Sequence, residues 1–320
     1  MFGNRRSSAR SRGDLKGASA PPRLSALWYL RYYGSLAAKP LAGIPLWRPV
    51  EWIFGRALCE QLRFFVRQGY WPHIRRPRSF SEKVVHRKLR EADPLYSVLA
   101  DKWGVRDYVR SRVGEGFLNE VYCVVDNPDC LPFASLPQRF VLKATHGSRM
   151  NLLVEDAQSA DGDALKRACR VFLKRNFGAD ANEHHYAAIP HRIVAERFLT
   201  ERDRRVPLTY MFFMFHGKCH AIQVHVDQPD AQVNRFYDSK WSALPFSIEA
   251  PMGPAIEQPA NLAGMIAVAE KLSDGLDFVR VDLYALDGQR IVFGEMTLTP
   301  EAGWGLFLPR EWDFRLGALW

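Results

Sequence analysis

Apolar residues recur at two different spacings along this 320-residue chain, and the change from one to the other divides it. Between Val50 and Val66, the residues Ile53, Phe54, Leu58, Leu62, Phe65 and Val66 return at three- and four-residue steps, the spacing of one helical face. Ser79-Phe-Ser-Glu82 opens a second helix in capping-box form and the apolar pattern carries it through Leu89. Pro94 starts a third, with Leu95, Val98 and Leu99, that runs into Asp101-Lys102. From Arg139 the spacing becomes that of strands. Phe140–Ala144 and Asn151–Val154 flank a turn at His146-Gly147-Ser148 and read as a hairpin. A helix fits Asp163–Asn176, followed by strands at Arg192–Phe198, Leu208–Phe215 and Cys219–Val226, the last two joined at Gly217-Lys218. After a helix at Asn261–Ser273, Phe278–Leu286 and Ile291–Met296 make a final hairpin turned at Asp287-Gly288. Antiparallel pairs separated by helices give an α+β plan, not the alternating plan of a Rossmann domain. Neither GxGxxG nor GxxxxGK[ST] is present, which removes the two commonest phosphate-binding loops.

Charge changes this picture only at the N-terminus. The formal net charge is +9, but residues 1–23 carry six basic side chains against Asp14, so the rest of the chain is mildly basic. The Ser/Arg/Gly/Pro composition of that tail cannot bury apolar surface and predicts disorder. It reads as a solvated leader, with contact to anionic lipid as the alternative; no nucleic-acid partner is expected. Trp28, Tyr29, Leu30, Tyr32 and Tyr33 cluster downstream of it. The Val50–Val66 helix is basic and amphipathic. Such a helix lies on a membrane surface or packs its stripe on the domain behind it, and the spacing favours packing. A basic turn, His73–Arg78, sits between Pro72 and Pro77. The longest runs without a charged side chain, Val206–Gly217 and Gln258–Ala269, fall short of a membrane span, and residues 1–23 lack the apolar stretch of a signal peptide. The expected location is cytoplasmic, with peripheral contact at the inner face of the membrane as the variant. Five cysteines at irregular spacing, without CxxC, read as reduced thiols.

Three constellations carry chemistry. Arg280 and Asp282 lie two apart on one strand, and Glu295 and Thr297 two apart on the next, so the hairpin sets all four on one sheet face. Two carboxylates and a hydroxyl are hard oxygen ligands suited to Mg²⁺ on a triphosphate, and Arg280 can grip phosphoryl oxygens with its fork. The flanking Phe278, Val281, Leu283 and Phe293 imply burial, where a carboxylate needs a partner. Lys143 stands inside an apolar strand, where it either meets an anion or snorkels out from a sheet edge, and the His146-Gly147-Ser148 turn beyond it reads as a flexible loop whose backbone N–H groups can cover phosphates. Glu196 interrupts the apolar strand before the charged loop Glu201–Arg205; taken alone it reads as an ordinary edge residue, with contact to adenine or ribose as the alternative. His184-His185 reads as an exposed pair, and His216, His220 and His225 lack ligand spacing.

In this order, Asp101-Lys102, Phe140-Val-Leu-Lys-Ala-Thr-His-Gly-Ser148, Glu196-Arg-Phe-Leu199, Arg280-Val-Asp282 and Gly294-Glu-Met-Thr-Leu-Thr-Pro300 resemble the ATP-grasp superfamily. Phe80-Ser-Glu-Lys83, Arg106-Asp-Tyr-Val109, Ile189-Pro190, Phe236-Tyr-Asp238 and Trp241 narrow the resemblance to the TupA-like ATP-grasp proteins of bacterial surface-polysaccharide clusters. The likeness covers roughly residues 70–320, and the step from Asp282 to Glu295 resembles the metal-binding hairpin of D-alanine–D-alanine ligases. It implies an ATP-grasp fold, two α+β lobes with mainly antiparallel sheets gripping ATP, with a helical region at 24–135 preceding a catalytic core at 136–320. It further implies that Lys102 and Lys143 contact ATP phosphates and that Glu196 lies at the adenine–ribose hinge. Asp282, Glu295 and Thr297 would hold Mg²⁺, and Arg280 would steady the transferred phosphoryl group. The implied reaction is a carboxylate–amine ligation through an acyl phosphate, with a carboxylate-bearing sugar or peptide as acceptor and an amine as donor. The chain departs from the family where Asp-Tyr-Lys becomes Thr209-Tyr210-Met211 and where Gln228 replaces an arginine. Loss of these charges keeps open a catalytically degraded nucleotide-binding or assembly protein. A glycosyltransferase of the same pathway ranks last, since no clear DxD motif is present.

Overall fold

The computed structural model describes residues 47–90, 93–201, 207–227 and 232–320. The basic tail, the 28–33 aromatic cluster, residues 202–205 of the charged loop and Gln228 lie outside the described residues. Helices α1 (Trp47–Phe54) and α2 (Arg56–Gln68) replace the single expected helix, because Gly55 (φ 78°) breaks it. They are followed by α3 (Phe80–Arg90), α4 (Pro94–Ala100) and α5 (Val105–Val113). Asp93 caps α4 by accepting from the Leu95 N–H, with Pro94 at the first turn.

A small four-stranded antiparallel sheet comes next. It comprises β1 (Val121–Val125), β2 (Phe140–Ala144), β3 (Asn151–Val154) and β4 (Ile193–Arg197), in the order β1-β4-β2-β3. The pattern of apolar positions does not reveal β1, which lies upstream of residue 136 and is half-buried throughout, so it shows no alternation. Helix α6 (Gly162–Lys174), capped by Asp161, and α7 (Phe177–Ala181) follow β3, and α6 packs on this sheet through Cys169.

The larger sheet contains β5 (Thr209–Phe215), β6 (Lys218–Asp227), β7 (Gln232–Tyr237) and β8 (Ala243–Leu244), and, after β9 (Ser247–Ile248) and α8 (Leu262–Ser273), β10 (Phe278–Leu286) and β11 (Arg290–Thr297). Its order is β11-β10-β5-β6-β7-β8, while β12 (Phe307–Leu308) pairs with β9 and α9 (Glu311–Gly317) closes the chain. Strand β5 is buried on both sides, which explains its unbroken apolar run. Phe212 and Met214 meet Met265 and Leu272 of α8 on one face, whereas Phe213 and Phe215 meet Phe80, Phe246 and Leu316 on the other. Arg87 of α3 ties down the end of the β10–β11 hairpin: its guanidinium donates to the Phe278 and Leu298 carbonyls (2.9 and 3.2 Å) and pairs with Asp277.

Helix α2 departs most from its sequence pattern. The predicted stripe does not pack inward: Ile53 and Phe54 of α1 and Phe65 and Val66 of α2 are exposed, and the buried face of α2 carries Glu60, Arg63, Arg67 and Gln68 beside Cys59 and Phe64. Those polar groups are paired. Glu60 accepts from Lys88, Arg63 and Asn182 (3.0, 3.1 and 2.8 Å), Arg67 binds Glu249, and Gln68 donates to the Gly305 carbonyl. Helical spacing shows which residues share a face; the buried partners decide which face turns inward.

Candidate active site

The β10–β11 register brings the four hairpin residues together. Arg280 lies opposite Thr297 and Asp282 opposite Glu295, with a bulge after Asp282 that leaves Gly294 without a partner. A side chain at Gly294 would press on the Asp282 carbonyl and the Tyr284 ring, so the bulge needs this glycine. Arg280 forks onto Asp282 (Nε–Oδ1 2.7 Å, Nη2–Oδ2 2.6 Å) and also donates to Glu295 (3.2 Å) and Thr297 (3.0 Å). The Thr297 hydroxyl donates to Glu295 at 3.2 Å. Burial, and secondarily the Glu295 charge, push the Asp282 carboxyl up to about 7 against the pull of Arg280. Burial acts upward on Glu295 as well, but Lys102, Arg280 and Lys143 outweigh it and hold its carboxyl below the usual range.

These cations reach the hairpin from elsewhere. Lys143 extends from β2 and pairs with Glu196 of β4, two positions along from its register partner Val194. Burial alone would depress the Lys143 ammonium, yet Glu196, Tyr284 and Glu295 together raise it. Lys102 follows α4 and donates through Nζ to the Gly147 carbonyl, while its own N–H bonds the Thr145 carbonyl at 3.3 Å. Burial lowers its pKa, with Glu295 opposing. Lys102, Lys143, Glu196, Tyr284 and Gly294 line one pocket between the two sheets, joined by Arg106, Asn119, Leu199 and Phe293.

The turn after β2 is pinned, not free. His146 does not join the pocket cluster: it is buried, stacks on His191 at 3.6 Å and meets the Phe172 carbonyl through Nε2 at 3.1 Å. A Cβ at Gly147 would run into Met150 and Phe177, so the loop must lie close to α7. Ser148 is half-exposed beside them. His185 also turns partly inward, against Tyr186, instead of forming an exposed pair with His184. Tyr284 joins the site as well: it follows Asp282 by two positions, so the two-residue rule that selects Arg280 selects it too. It faces Thr209 in register and hydrogen-bonds that hydroxyl. Met211 lies opposite Asp282 and is buried, so no charge stands at that position.

The family model for TupA-like ATP-grasp proteins matches residues 82–320. Similar solved structures include the ADP complex of N5-carboxyaminoimidazole ribonucleotide synthetase, at 16% identity over 65% of this chain and 46% of that one (TM-score 0.42). The D-alanine–D-alanine ligase of Bacillus anthracis complexed with ATP matches at 14% identity over 63% and 56% (TM-score 0.37). A RimK domain ATP-grasp protein of Sphaerobacter thermophilus matches at 13% identity over 74% and 67% (TM-score 0.39). The chain spans about half the length of the first two. A search of curated proteins returns no match. With the family match covering about three quarters of its 320 residues, this chain belongs to the TupA-like ATP-grasp family and has the ATP-grasp fold.

Proposed function

We propose that this protein is an ATP-dependent carboxylate–amine ligase. The observation that carries the reading is the opposition of charges beside one pocket: Glu295 lies within electrostatic reach of Lys102 and Lys143, which line that pocket, and Arg280 ties Glu295 to Asp282. ATP-grasp enzymes in general use ATP with Mg²⁺. The residues here fit that pair. Among the described residues no three His, Cys, Asp or Glu side chains converge on a metal position. Asp282, Glu295 and the Thr297 hydroxyl, gathered on Arg280 here, are the hard oxygen ligands that would hold Mg²⁺. Bound there, Mg²⁺ supplies charge neutralisation for the phosphoryl oxygens.

The protein's own groups then have defined roles. Lys102 and Lys143 bind phosphate oxygens, Glu196 orients the nucleoside, and Arg280 holds the carboxylates and steadies the transferred group. Gly147 and Ser148 approach the phosphates through backbone, without His146. A carboxylate oxygen of the acceptor attacks the terminal phosphorus and ADP departs. An amine then attacks the acyl carbon, phosphate leaves, and the amine proton passes to solvent. Positioning and electrostatics supply most of the catalysis in such a sequence. The family resemblance supports a uronic acid or peptide of a bacterial cell-surface polymer as acceptor.

Incubation with ATP, Mg²⁺, a uronate or peptide carboxylate and an amine is expected to release ADP and phosphate in equal amounts, dependent on both acceptor and amine. A second reading, a nucleotide-binding assembly protein, is favoured by the uncharged Met211 opposite Asp282. Nucleotide binding without ADP release would select it, and absence of nucleotide binding would overturn both.

A further inference from the structure

The outward face of α2 has no counterpart elsewhere among the described residues. Leu58 and Leu62 are half-exposed on it, and Phe65 and Val66 stand in solvent, Val66 at 57% exposure. Trp71 (45% exposed) extends the patch, with its ring 6.0 Å from that of Phe65. The end of α1 adds Trp52, at 88% exposure. The helix packs inward through Cys59 and Phe64 together with polar residues on dedicated partners, yet it leaves a second set of apolar residues facing out.

An apolar face alone names no occupant, but the charge around it does. Of the six arginines in residues 52–78, Arg63 and Arg67 turn inward onto Glu60 and Glu249, while Arg56, beside Glu51, and Arg75, Arg76 and Arg78 are exposed; Glu60, the one carboxylate of that stretch, is fully buried on Lys88 and Arg63. Just past Trp71 the chain turns, with the Arg76 N–H on the His73 carbonyl at 3.0 Å, and Arg75, Arg76 and Arg78 are all exposed. A second copy docked through the same face would set arginine against arginine, which opposes a symmetric contact. Tryptophan and aliphatic side chains rimmed by arginine suit the interface of an anionic bilayer, where the rings sit at headgroup depth and the cations meet phosphates. No described helix is long and apolar enough to cross a membrane, so the contact is one of lying on the surface.

We propose that the α2 face, with Trp71 and the 75–78 turn, docks this protein on an anionic lipid surface. The inference is independent of the pocket chemistry. It also places the lipid contact on a folded helix and not on the basic tail alone.

The test is co-sedimentation of the full chain with vesicles of phosphatidylcholine alone or mixed equally with phosphatidylglycerol. The wild type is expected to bind the mixed vesicles and not the neutral ones. The double variant Phe65→Ser/Trp71→Ser and the charge reversal Arg75→Glu/Arg76→Glu should each lose about tenfold or more in partitioning. The charge reversal should melt as the wild type does, because Arg75 and Arg76 are exposed, and the double serine variant, which loses two half-covered rings, should stay folded with a modestly lower Tm. Binding of both variants at the wild-type level would assign the contact to another segment and overturn the proposal, as would failure of the wild type to bind mixed vesicles. A lipid-free dimer that Phe65→Ser/Trp71→Ser dissolves, or unfolding of that variant, would show the face already covered by protein and overturn it equally.

Discussion

The two sheets that meet at the pocket hold their charged groups in different ways. On the large sheet, Arg280 is bound by Asp282, Glu295 and Thr297 at once, and the hairpin carrying them is clamped by Arg87 at its end and covered by α8. On the small sheet, the one ion pair of Lys143 among the described residues is with Glu196, with Tyr284 and Glu295 acting on it from the other sheet, and the outer strand β3 leaves Leu153 half exposed to solvent. A network of four groups fixes a geometry; one ion pair leaves an ammonium free to exchange partners. The contrast suits a rigid carboxylate platform beneath a cation-bearing cover that regroups around phosphate.

The largest effect that would break this comparison concerns stability. Asp282→Ala leaves the Arg280 guanidinium buried without its fork partner and should cost about 3–5 kcal/mol in urea unfolding. Lys143→Met should cost only about 1–2 kcal/mol, since it removes one ion pair. Equal losses would erase the proposed difference between platform and cover.

Lys143→Met should act mainly on ligand affinity. A charge-assisted contact to phosphate is worth about 1.5–3 kcal/mol, so calorimetry should read an ATP affinity weakened by about tenfold to a hundredfold. Unchanged affinity would separate the small sheet from the nucleotide.

A smaller effect sharpens the account of the pinned turn. Burial and the neighbouring His191 lower the His146 pKa to about 4. An unfolded ring takes up its proton near 6.5, so between those values the unfolded chain binds more protons. The stabilisation is present above pH 6.5 and is lost as pH falls toward 4, amounting to about 2 kcal/mol between pH 7 and 5. His146→Gln, which keeps a donor toward the Phe172 carbonyl, should remove that share of the pH dependence. An identical pH slope in the variant would show that the ring titrates normally in the fold.

What could be read from the sequence follows the reach of local rules. Two-residue spacing on two strands joined by an Asp-Gly turn is enough to bring Arg280, Asp282, Glu295 and Thr297 together, and the same rule extends to Tyr284. It is silent on groups delivered by distant elements, which is why Arg106 and Asn119 enter the pocket unannounced. Strand β1 escaped because half-burial throughout removes alternation, and β8, β9 and β12 because two residues carry no period. The His146 ring sits on His191 and the Phe172 carbonyl, partners that a turn motif does not reveal. The orientation of α2 was reversed for a related reason: its polar residues find Lys88, Glu249 and Gly305, all remote in sequence.

The central claim, that the hairpin carboxylates hold Mg-ATP, is tested most directly by thermal shift of the wild type and Glu295→Ala across ATP concentrations, with and without Mg²⁺. Stabilisation by a ligand grows as RT ln(1 + [L]/Kd), so even a weak site registers at millimolar nucleotide. The wild type should be stabilised by ATP far more when Mg²⁺ is present, and Glu295→Ala should lose that Mg²⁺-dependent gain. A Glu295→Ala protein with the wild-type nucleotide affinity and the wild-type Mg²⁺ dependence would contradict the account.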